Sequence, residues 1–398
     1  MGLIKSVDQL YLNVSLPGRI NARISALDIS DAYTKSMKEF LKNNAQSEGY
    51  KPLQELYCEN KIVYGRIKEV KRGANDETQV DMTLKPSEVH ADLAHKNIKK
   101  GFVFNGAIEE VQEHGYIIES GIKGLRCFVP LEKSTAGHAV GELVFLKVDK
   151  ITIDTSVSTC ICREIQAENL KIKDQSEPNL DYLLPSTIVN FQVNKVLKNG
   201  LQGSIMNEIF TAYVNEHQLL DPLSLPEDYE VNSSCEARIL YVMPLTKFVY
   251  LTLNLRNENA TKAEDEEDET KKLTLKRGDV VENAKVHHLG TGGVILILNN
   301  KFKGIISYKT IKANYKGNYD QDELLAKYSQ KSKHTVRISD YHAMDSVYIC
   351  TDDYTAINEK YFSLDDVKPG DFVTAVVSEF YNKIDGYSLQ LGKISGKL

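Results

Sequence analysis

Three kinds of residue pattern in this chain are worth testing for a phosphate, metal or catalytic site: a glycine-rich stretch, a histidine pair and pairs of acidic residues. None of them has the spacing that such a site needs. Gly290-Thr291-Gly292-Gly293 is similar to a phosphate-binding loop, but no helix pattern follows it, so it predicts a hairpin between strands. His287 and His288 are adjacent rather than four residues apart, and cannot hold one metal ion from a helix face. The acidic pairs Asp352-Asp353 and Asp365-Asp366 are typical of turns. We therefore predict no enzyme, no cofactor and no metal site.

Cysteine usage and the lack of long apolar segments bear on the compartment. The six cysteines are scattered and include no Cys-x-x-Cys pair, which favours reduced, structural thiols in the cytosol or nucleus. Cys160 and Cys162 alternate along a strand-like run, so both should face one side of it. No stretch approaches the roughly 18 apolar residues of a membrane helix, and the N-terminus does not resemble a secretory signal. We therefore expect no membrane partner.

The charge of the chain is concentrated in one segment. The net charge is −6, and the six consecutive acids at 264–269 account for all of it. Adjacent like charges repel and stay solvated, so this segment predicts a disordered linker. The rest of the chain is neutral overall, which argues against broad electrostatic binding to a nucleic-acid backbone.

One pattern recurs five times and indicates repeated modules. Each copy has a small or apolar residue, a β-branched residue two places later and an apolar residue three places after that. Successive copies start 85 to 104 residues apart. Gly115, Gly200 and Gly293 each follow a copy by four residues, where we expect glycine to permit a tight turn between two strands. The copies are Gly2-Ile4-Val7, Gly106-Ile108-Val111, Phe191-Val193-Val196, Ala284-Val286-Leu289 and Ala375-Val377-Phe380.

Each copy opens a unit of five strand-like runs. Five strands in about 90 residues predict an all-β fold of tandem five-stranded barrels, with short helices between the third and fourth strands. Closure matters because an open five-stranded sheet exposes two edges that invite aggregation.

Helices are predicted in two of these connections. In the fourth unit, a helix over 322–330 should turn Leu325 and Tyr328 inward. In the first unit, a helix capped by Ser30 or Asp31 should turn one apolar face towards the barrel. That face consists of Tyr33, Met37, Phe40 and Leu41.

The order of strand, glycine hairpin, strand, Lys-Gly-apolar strand, helical connection and two closing strands resembles the ribosomal-protein S1-type RNA-binding domain, a variant of the OB fold. Residues 101–162 match best, and the third unit departs most, with Ser186 where an opening glycine is usual. Strings of irregular S1-type repeats are similar to the large eukaryotic factors that process pre-ribosomal RNA. The motifs that carry the resemblance are Gly101–Ile108, His114–Tyr116, Lys123–Leu125, Gly141–Val144 and Lys147–Ile151, with Lys276–Val281 in the fourth unit.

The resemblance implies a binding surface. S1-type domains hold single-stranded RNA on the face of strands two and three, stacking bases on aromatic rings and pairing phosphates with Lys or Arg. The usual aromatic before the hairpin glycine is absent in the third and fourth units, and Tyr116 could instead pack inside its barrel. The implied RNA-binding residues are His114, Tyr116, Lys123 and Arg126 in the second unit, and Lys301, Lys303 and Tyr308 in the fourth.

Two functions remain open. The resemblance implies a non-catalytic array that binds single-stranded or structured pre-rRNA in the nucleus and nucleolus, through several weak modules whose affinities multiply by tethering. Alternatively, the units mainly contact other ribosome-assembly proteins. A bacterial-type translation factor similar to ribosomal protein S1 is a further alternative. No small-molecule substrate is implied.

The repeat spacing divides the chain into six segments. The chain stops as Ser395–Leu398 enters a third strand, so we expect it to be an N-terminal piece of a longer polypeptide. The segments are S1-type units at 2–90 (with an insertion near 33–53), 98–165, 180–256 and 276–353, an acidic linker at 257–275, and the start of an incomplete unit at 362–398.

Overall fold

The computed structural model describes residues 1–42, 50–72, 78–135, 137–154, 156–172, 178–255, 275–314, 321–381 and 386–397. The chain separates into two compact units, Met1–Glu266 with Ala343–Asp345, and Glu267–His342 with Ser346–Leu398. The predicted disordered linker lies outside the described residues, apart from Leu275. Within the described ranges, no helix has both the length and the hydrophobicity needed to cross a membrane.

The first module departs from the predicted five-stranded barrel because its fourth strand is split. Its strands form one sheet, and the two strands at the sheet edges are consecutive in the chain, separated only by Tyr64 and Gly65. Tyr64 leaves the sheet there, and its hydroxyl accepts a hydrogen bond from the Asn105 N–H of the second module at 2.8 Å. The strands are β1 (Gly2–Val7), β2 (Tyr11–Leu16), β3 (Ile20–Ser25), β4 (Ile62–Val63), β5 (Arg66–Arg72) and β6 (Thr78–Thr83), in the sheet order β4-β1-β2-β3-β6-β5.

The second, third and fourth modules are closed five-stranded barrels. In each, the third strand pairs in parallel with the fifth, and the other neighbours are antiparallel. The predicted all-β class of OB-type barrels is therefore confirmed. The strands are β7 (Val103–Gln112), β8 (Gly115–Glu119), β9 (Leu125–Pro130), β10 (Leu143–Thr152) and β11 (Ser158–Glu164); β12 (Ile188–Leu197), β13 (Gly200–Ile205), β14 (Phe210–Asn215), β15 (Ser234–Val242) and β16 (Val249–Thr252); and β17 (Val280–Gly290), β18 (Gly293–Leu298), β19 (Phe302–Ser307), β20 (Lys333–His342) and β21 (Val347–Thr351).

The last described strands form a separate three-stranded antiparallel sheet in chain order. Their pairing order matches that of the first three strands in each closed barrel. The strands are β22 (Val376–Tyr381), β23 (Gly386–Leu391) and β24 (Ile394–Lys397).

The helices are short, and four of those in the described residues fall in the two predicted connections. In the first module the helix begins after Ser30, whose Oγ accepts the Tyr33 N–H at 3.0 Å, as the capping pattern predicts. In the fourth module Leu324 and Tyr328 turn inward, whereas Leu325 is 47% exposed; the prediction for Leu325 was wrong because residues four apart share a helix face. The helices are Asp31–Lys42, Leu53–Leu56, Pro86–Val89, Tyr308–Asn314, Gln321–Lys327 and Tyr354–Ile357, with 3-10 turns at Ala26–Asp28, His95–Asn97, Leu131–Lys133, Ala167–Asn169, Leu180–Tyr182, Pro226–Asp228 and Leu364–Asp366.

The hairpin glycines allow close packing of the second and third strands. Gly115, Gly200 and Gly293 are each the first residue of the second strand in their barrel. A Cβ at these positions would lie 2.1 to 2.3 Å from a carbonyl oxygen of the third strand. Any larger residue would therefore push the second and third strands apart.

A left-handed turn opens each closed barrel. The residues Gly101, Ser186 and Gly278 have φ angles of 90°, 75° and 97°. Their N–H groups each donate to a carbonyl of the fourth strand, at 2.7, 2.8 and 2.8 Å. The sequence departure at Ser186 thus places a non-glycine residue in a conformation that favours glycine.

Candidate nucleic-acid interface

The outer face of the second barrel carries an apolar row across three strands. Side chains alternate along β8, β9 and β11, so that the buried residues of each strand leave their neighbours on the outside. Ile117 pairs with Phe128, and Phe128 pairs with Ile161 in the parallel ladder. All three are half-buried. The Phe128 ring lies against the backbone of Gly115, where a Cβ would meet it at 2.6 Å.

Basic and polar side chains flank this row. Arg126 is exposed two pairs further along, beside Thr159 of β11. Lys123 is exposed in the turn that precedes β9. On the other side, Arg163 and Lys133 both contact Asp149, at 3.0 and 3.1 Å. A flat apolar and aromatic strip with cations at its border is the arrangement that suits stacked bases with phosphates alongside.

The sequence-predicted residues of this module fall at different places. Lys123 and Arg126 lie together at the start of β9. His114 lies at the other end of this strand, since its carbonyl accepts the Leu131 N–H at 3.1 Å. Its side chain is exposed. The structure therefore places these three residues on both ends of one strand pair, with Phe128 between them.

Tyr116 requires a correction. It is 3% exposed and belongs to the core of the barrel, where its ring meets that of His138 edge to face at 5.4 Å. A ring in the core cannot stack on a base. Phe128 takes its place as the outward aromatic residue, and strict alternation from the buried Cys127 and Val129 would have identified it.

His138 is held between two carboxylates next to the Tyr116 ring. Its Nδ1 lies 3.2 Å from Glu142, and its Nε2 lies 3.0 Å from Glu164. Hydrogen bonds to Glu142 and Glu164 raise the pKa of His138 to about 9, so the ring is protonated at neutral pH. Burial opposes ionisation of Glu164, but the hydrogen bonds from His138 and Thr135 outweigh it and hold its pKa at about 2. This cluster ties the β9–β10 connection to the end of β11.

The predicted residues of the fourth barrel do not form an open surface. Lys303 is 3% exposed. The Tyr308 hydroxyl donates to the Gly290 carbonyl at 3.0 Å. Lys301 is exposed, with its ammonium 5.1 Å from the centre of the Phe302 ring. Ile295 and Ile305, which occupy the positions of Ile117 and Phe128, are buried.

Two further aromatic features were missed by the sequence reasoning. In the first module the Arg23 guanidinium lies 4.6 Å from the centre of the Tyr11 ring, on the outer face of β2 and β3. In the third barrel Tyr250 stacks on Tyr241 at 4.7 Å and meets Tyr213 edge to face at 5.5 Å. Both lie on the same face as Phe128 does in the second barrel, because strands two and three alternate in the same phase.

One group of side chains could offer a metal three ligands. Among the described residues, Cys127, Cys160 and Cys162 have Sγ atoms within 4.8 Å of one another. As predicted, Cys160 and Cys162 face the same side, and Cys127 joins them from the neighbouring strand. All three are buried among the apolar side chains of the barrel core, where thiols also pack as small hydrophobic groups.

Comparisons with known proteins relate the chain to ribosome biogenesis factors. No protein-family model matches it. It is 49% identical over 400 residues to the rRNA biogenesis protein RRP5 of Drosophila melanogaster, covering 100% of this chain and 28% of the relative. It is 25% identical over 398 residues to the Protein RRP5 homolog of Homo sapiens, covering 95% and 20%. The chain thus spans less than a third of the length of the curated relatives it matches.

A solved structure with a related description aligns only weakly. A multidomain protein with nucleic acid binding domains from Streptococcus pneumoniae aligns over 70% of this chain and 76% of its own. The identity is 12% and the TM-score is 0.16.

Proposed function

We propose that this chain is a non-catalytic RNA-binding array in ribosome biogenesis, on the premise that it is similar over its whole length to RRP5 rRNA biogenesis proteins. Its ligand is pre-rRNA, in single-stranded or structured regions, and its place of work is the nucleolus within the nucleus. The module limits given by the repeat spacing, with the linker at 257–275, are part of this proposal. The bacterial-type translation factor receives no support from these relatives.

The outer face of the second barrel gives the strongest support for RNA binding. Phe128 offers an aromatic surface between Ile117 and Ile161, with exposed Arg126 and Lys123 beside it. Stacking tolerates any base, and lysine and arginine contact any phosphate, so such a face binds single-stranded RNA with little sequence preference. One such face binds weakly, and tethered modules bind more strongly together.

Replacement of the aromatic and the cation tests this surface. Phe128→Leu combined with Arg126→Ala removes one stacking ring and one charge while keeping the apolar packing over Gly115. Stacking on one aromatic contributes about 1–3 kcal/mol, so we expect the affinity of the 398-residue chain for a single-stranded RNA of about 15 nucleotides to fall at least tenfold.

The control for this variant is Lys195→Ala on β12, which removes an exposed cation elsewhere. Circular dichroism should show both variants folded. If the folded double variant binds RNA as tightly as the parent chain, this face is not the site.

A protein partner is the second candidate, and one surface favours it. The β15–β16 hairpin of the third barrel presents three exposed apolar side chains, with Leu245 93% exposed, Phe248 41% and Met243 37%. An exposed apolar cluster of this kind is typical of protein-protein contact sites. Other ribosome-assembly proteins are the partners we propose for it. Leu245→Ser with Phe248→Ser should abolish such a contact without affecting RNA affinity.

A further inference from the structure

A second candidate site lies at the junction of the second and third modules, away from the strand face. It is a cavity of about 250 Å³ between the opening turn of the second barrel and the 3-10 turn Leu180–Tyr182 that precedes the third. Three lysines, Lys96, Lys99 and Lys100, line it together with the rings of Phe102 and Tyr182. The residues come from parts of the chain about 80 positions apart.

The lysines reach the rim because of the local backbone. Ile98 is fully buried, so its neighbours in the 3-10 turn His95–Asn97 and in the following segment point outward. Gly101 then turns the chain with a φ of 90°, and a Cβ built on it would meet no atom within 4 Å. The backbone therefore leaves open space directly beside the lysines.

The described lining of the cavity is electropositive. Among the described residues that line it, none is an aspartate or a glutamate. In the described part of the chain no ion pair involves Lys96, Lys99 or Lys100. Other lysines of the same compact unit are neutralised, for example Lys68 by Asp28 at 2.7 Å and Lys85 by Asp31 at 2.8 Å. Three exposed lysines without a carboxylate partner leave a local charge that attracts an anion.

The aromatic wall is held in place by a hydrogen bond and by ring contacts. The Tyr182 hydroxyl donates to the Ala94 carbonyl at 3.2 Å, and its ring meets Phe102 edge to face at 5.7 Å. Phe102 in turn stacks on Phe104 at 5.6 Å inside the barrel. Because these contacts already restrain the ring, a base that stacks on its open side loses less conformational entropy in ordering it.

We propose that this cavity is a second RNA subsite, in which the three lysines hold phosphates and Tyr182 stacks one base. The inference rests on the proposed function for its ligand, but on different residues from those of the strand face. An acidic peptide would satisfy the lysines as well as RNA does. The fixed aromatic wall beside them favours a nucleotide, since a base adds stacking to the phosphate contact.

The test separates the phosphate contacts from the stacking. The double variant Lys99→Ala with Lys100→Ala loses two phosphate contacts. Each contact to a single strand contributes about 0.7 to the slope of log affinity against log salt concentration, so this slope should become less steep by about 1.4. In Tyr182→Leu the affinity should fall about tenfold with the slope unchanged, because no charge is removed. The probe is a 15-nucleotide single-stranded RNA on the 398-residue chain.

The matched control is Lys276→Ala with Arg277→Ala. These two exposed cations occupy the corresponding opening turn of the fourth barrel, so the control removes the same charge from the same type of turn. We expect the control to keep the slope of the parent chain. Equal slope changes in both double variants would mean that only general charge matters, and would overturn the subsite.

Failure of the subsite and failure of the proposed function give different results. If Phe128→Leu with Arg126→Ala weakens RNA binding while the Lys99 and Lys100 variant keeps the parent affinity and slope, only the subsite is refuted. If the parent chain binds no RNA, both fail. If polyglutamate displaces RNA from the parent chain but not from the Lys99 and Lys100 variant, and Tyr182→Leu has no effect, the cavity is a peptide site instead.

Discussion

His138 is a titratable residue in contact with the inner aromatic ring of the second barrel. The protonated imidazole bridges Glu142 and Glu164 and supports the Tyr116 ring from the side. The side chains of this cluster are mostly buried, with 9% exposure for His138 and 13% for Glu164, so solvent screens them little. This residue is therefore a source of pH dependence in the barrel that carries the proposed interface.

Stability should fall as the pH rises from 6.5 to 9. The pKa of His138 is about 9 in the folded chain and 6.5 as its ordinary value, so the folded state binds the proton more tightly. The stabilisation is fully present below pH 6.5 and is lost as the pH rises through 9, by roughly 1.4 kcal/mol per unit at most. Urea denaturation at pH 6.5 and 9 should show a loss on the order of 2–3 kcal/mol in the parent chain.

The control is His138→Gln, which keeps a hydrogen-bonding side chain without a titrating proton. The part of the pH dependence that His138 causes should be absent in this variant. An unchanged difference between the two pH values in His138→Gln would assign the effect to other groups.

The position of Tyr116 could not be predicted from the family resemblance. The resemblance placed Tyr116 on the RNA-binding face, whereas the alternation of buried and outward residues gives that face to Phe128. The family pattern aligns positions along the chain, but a shift of one residue reverses the side of a strand on which a side chain lies.

Among the elements, the opening turns show how one repeat departs from the others at a cost. Ser186 has the left-handed φ of 75° that Gly101 and Gly278 adopt without penalty. Its hydroxyl is buried and has no hydrogen-bond partner among the described residues. The N–H of the turn is still used, since it donates to Ile239 at 2.8 Å.

Replacement of this serine by glycine should stabilise the third barrel. Ser186→Gly relieves a left-handed conformation that costs about 1–2 kcal/mol and removes an unpaired buried hydroxyl, while glycine loses roughly 0.5–1 kcal/mol of backbone entropy. We expect the free energy of unfolding to rise by about 1 kcal/mol, measured by urea denaturation. The reverse change at the equivalent turn, Gly101→Ser, should lower it. A destabilised Ser186→Gly chain would contradict this description of the turn.

The strands could be predicted from the sequence, but the interruption of one strand and the orientation of one helix could not. Hydrophobic alternation and the spacing of the glycines predict the runs that become β7 to β21, because each buried face must repeat every second residue. The split between β4 and β5 was not predicted, although Gly65 lies within it; Tyr64 leaves the sheet there for a contact with Asn105 in the next module. In the same way, the sequence alone did not predict which side of the helix Gln321–Lys327 faces the core. Leu324 is buried and Leu325 is exposed because of the way the helix packs on its barrel.

At the scale of the whole molecule, the proposed binding sites lie both on a barrel and between two modules of the array. The face around Phe128 belongs to one barrel and could be sought from the sequence by position. The cavity between Lys99 and Tyr182 needs two modules in contact, and no pattern within one repeat indicates it. Several weak sites along one chain fit the proposed role of binding pre-rRNA with little sequence preference.

Crosslinking of the intact protein to RNA in cells, followed by sequencing of the attached RNA and mapping of the crosslinked peptides, tests the central claim most directly. We predict that pre-rRNA dominates the attached RNA and that crosslinks fall on the second barrel, around Phe128, and on Tyr182. Crosslinks confined to other RNAs, or an intact protein that carries no RNA while it still associates with ribosome-assembly proteins, would contradict the account.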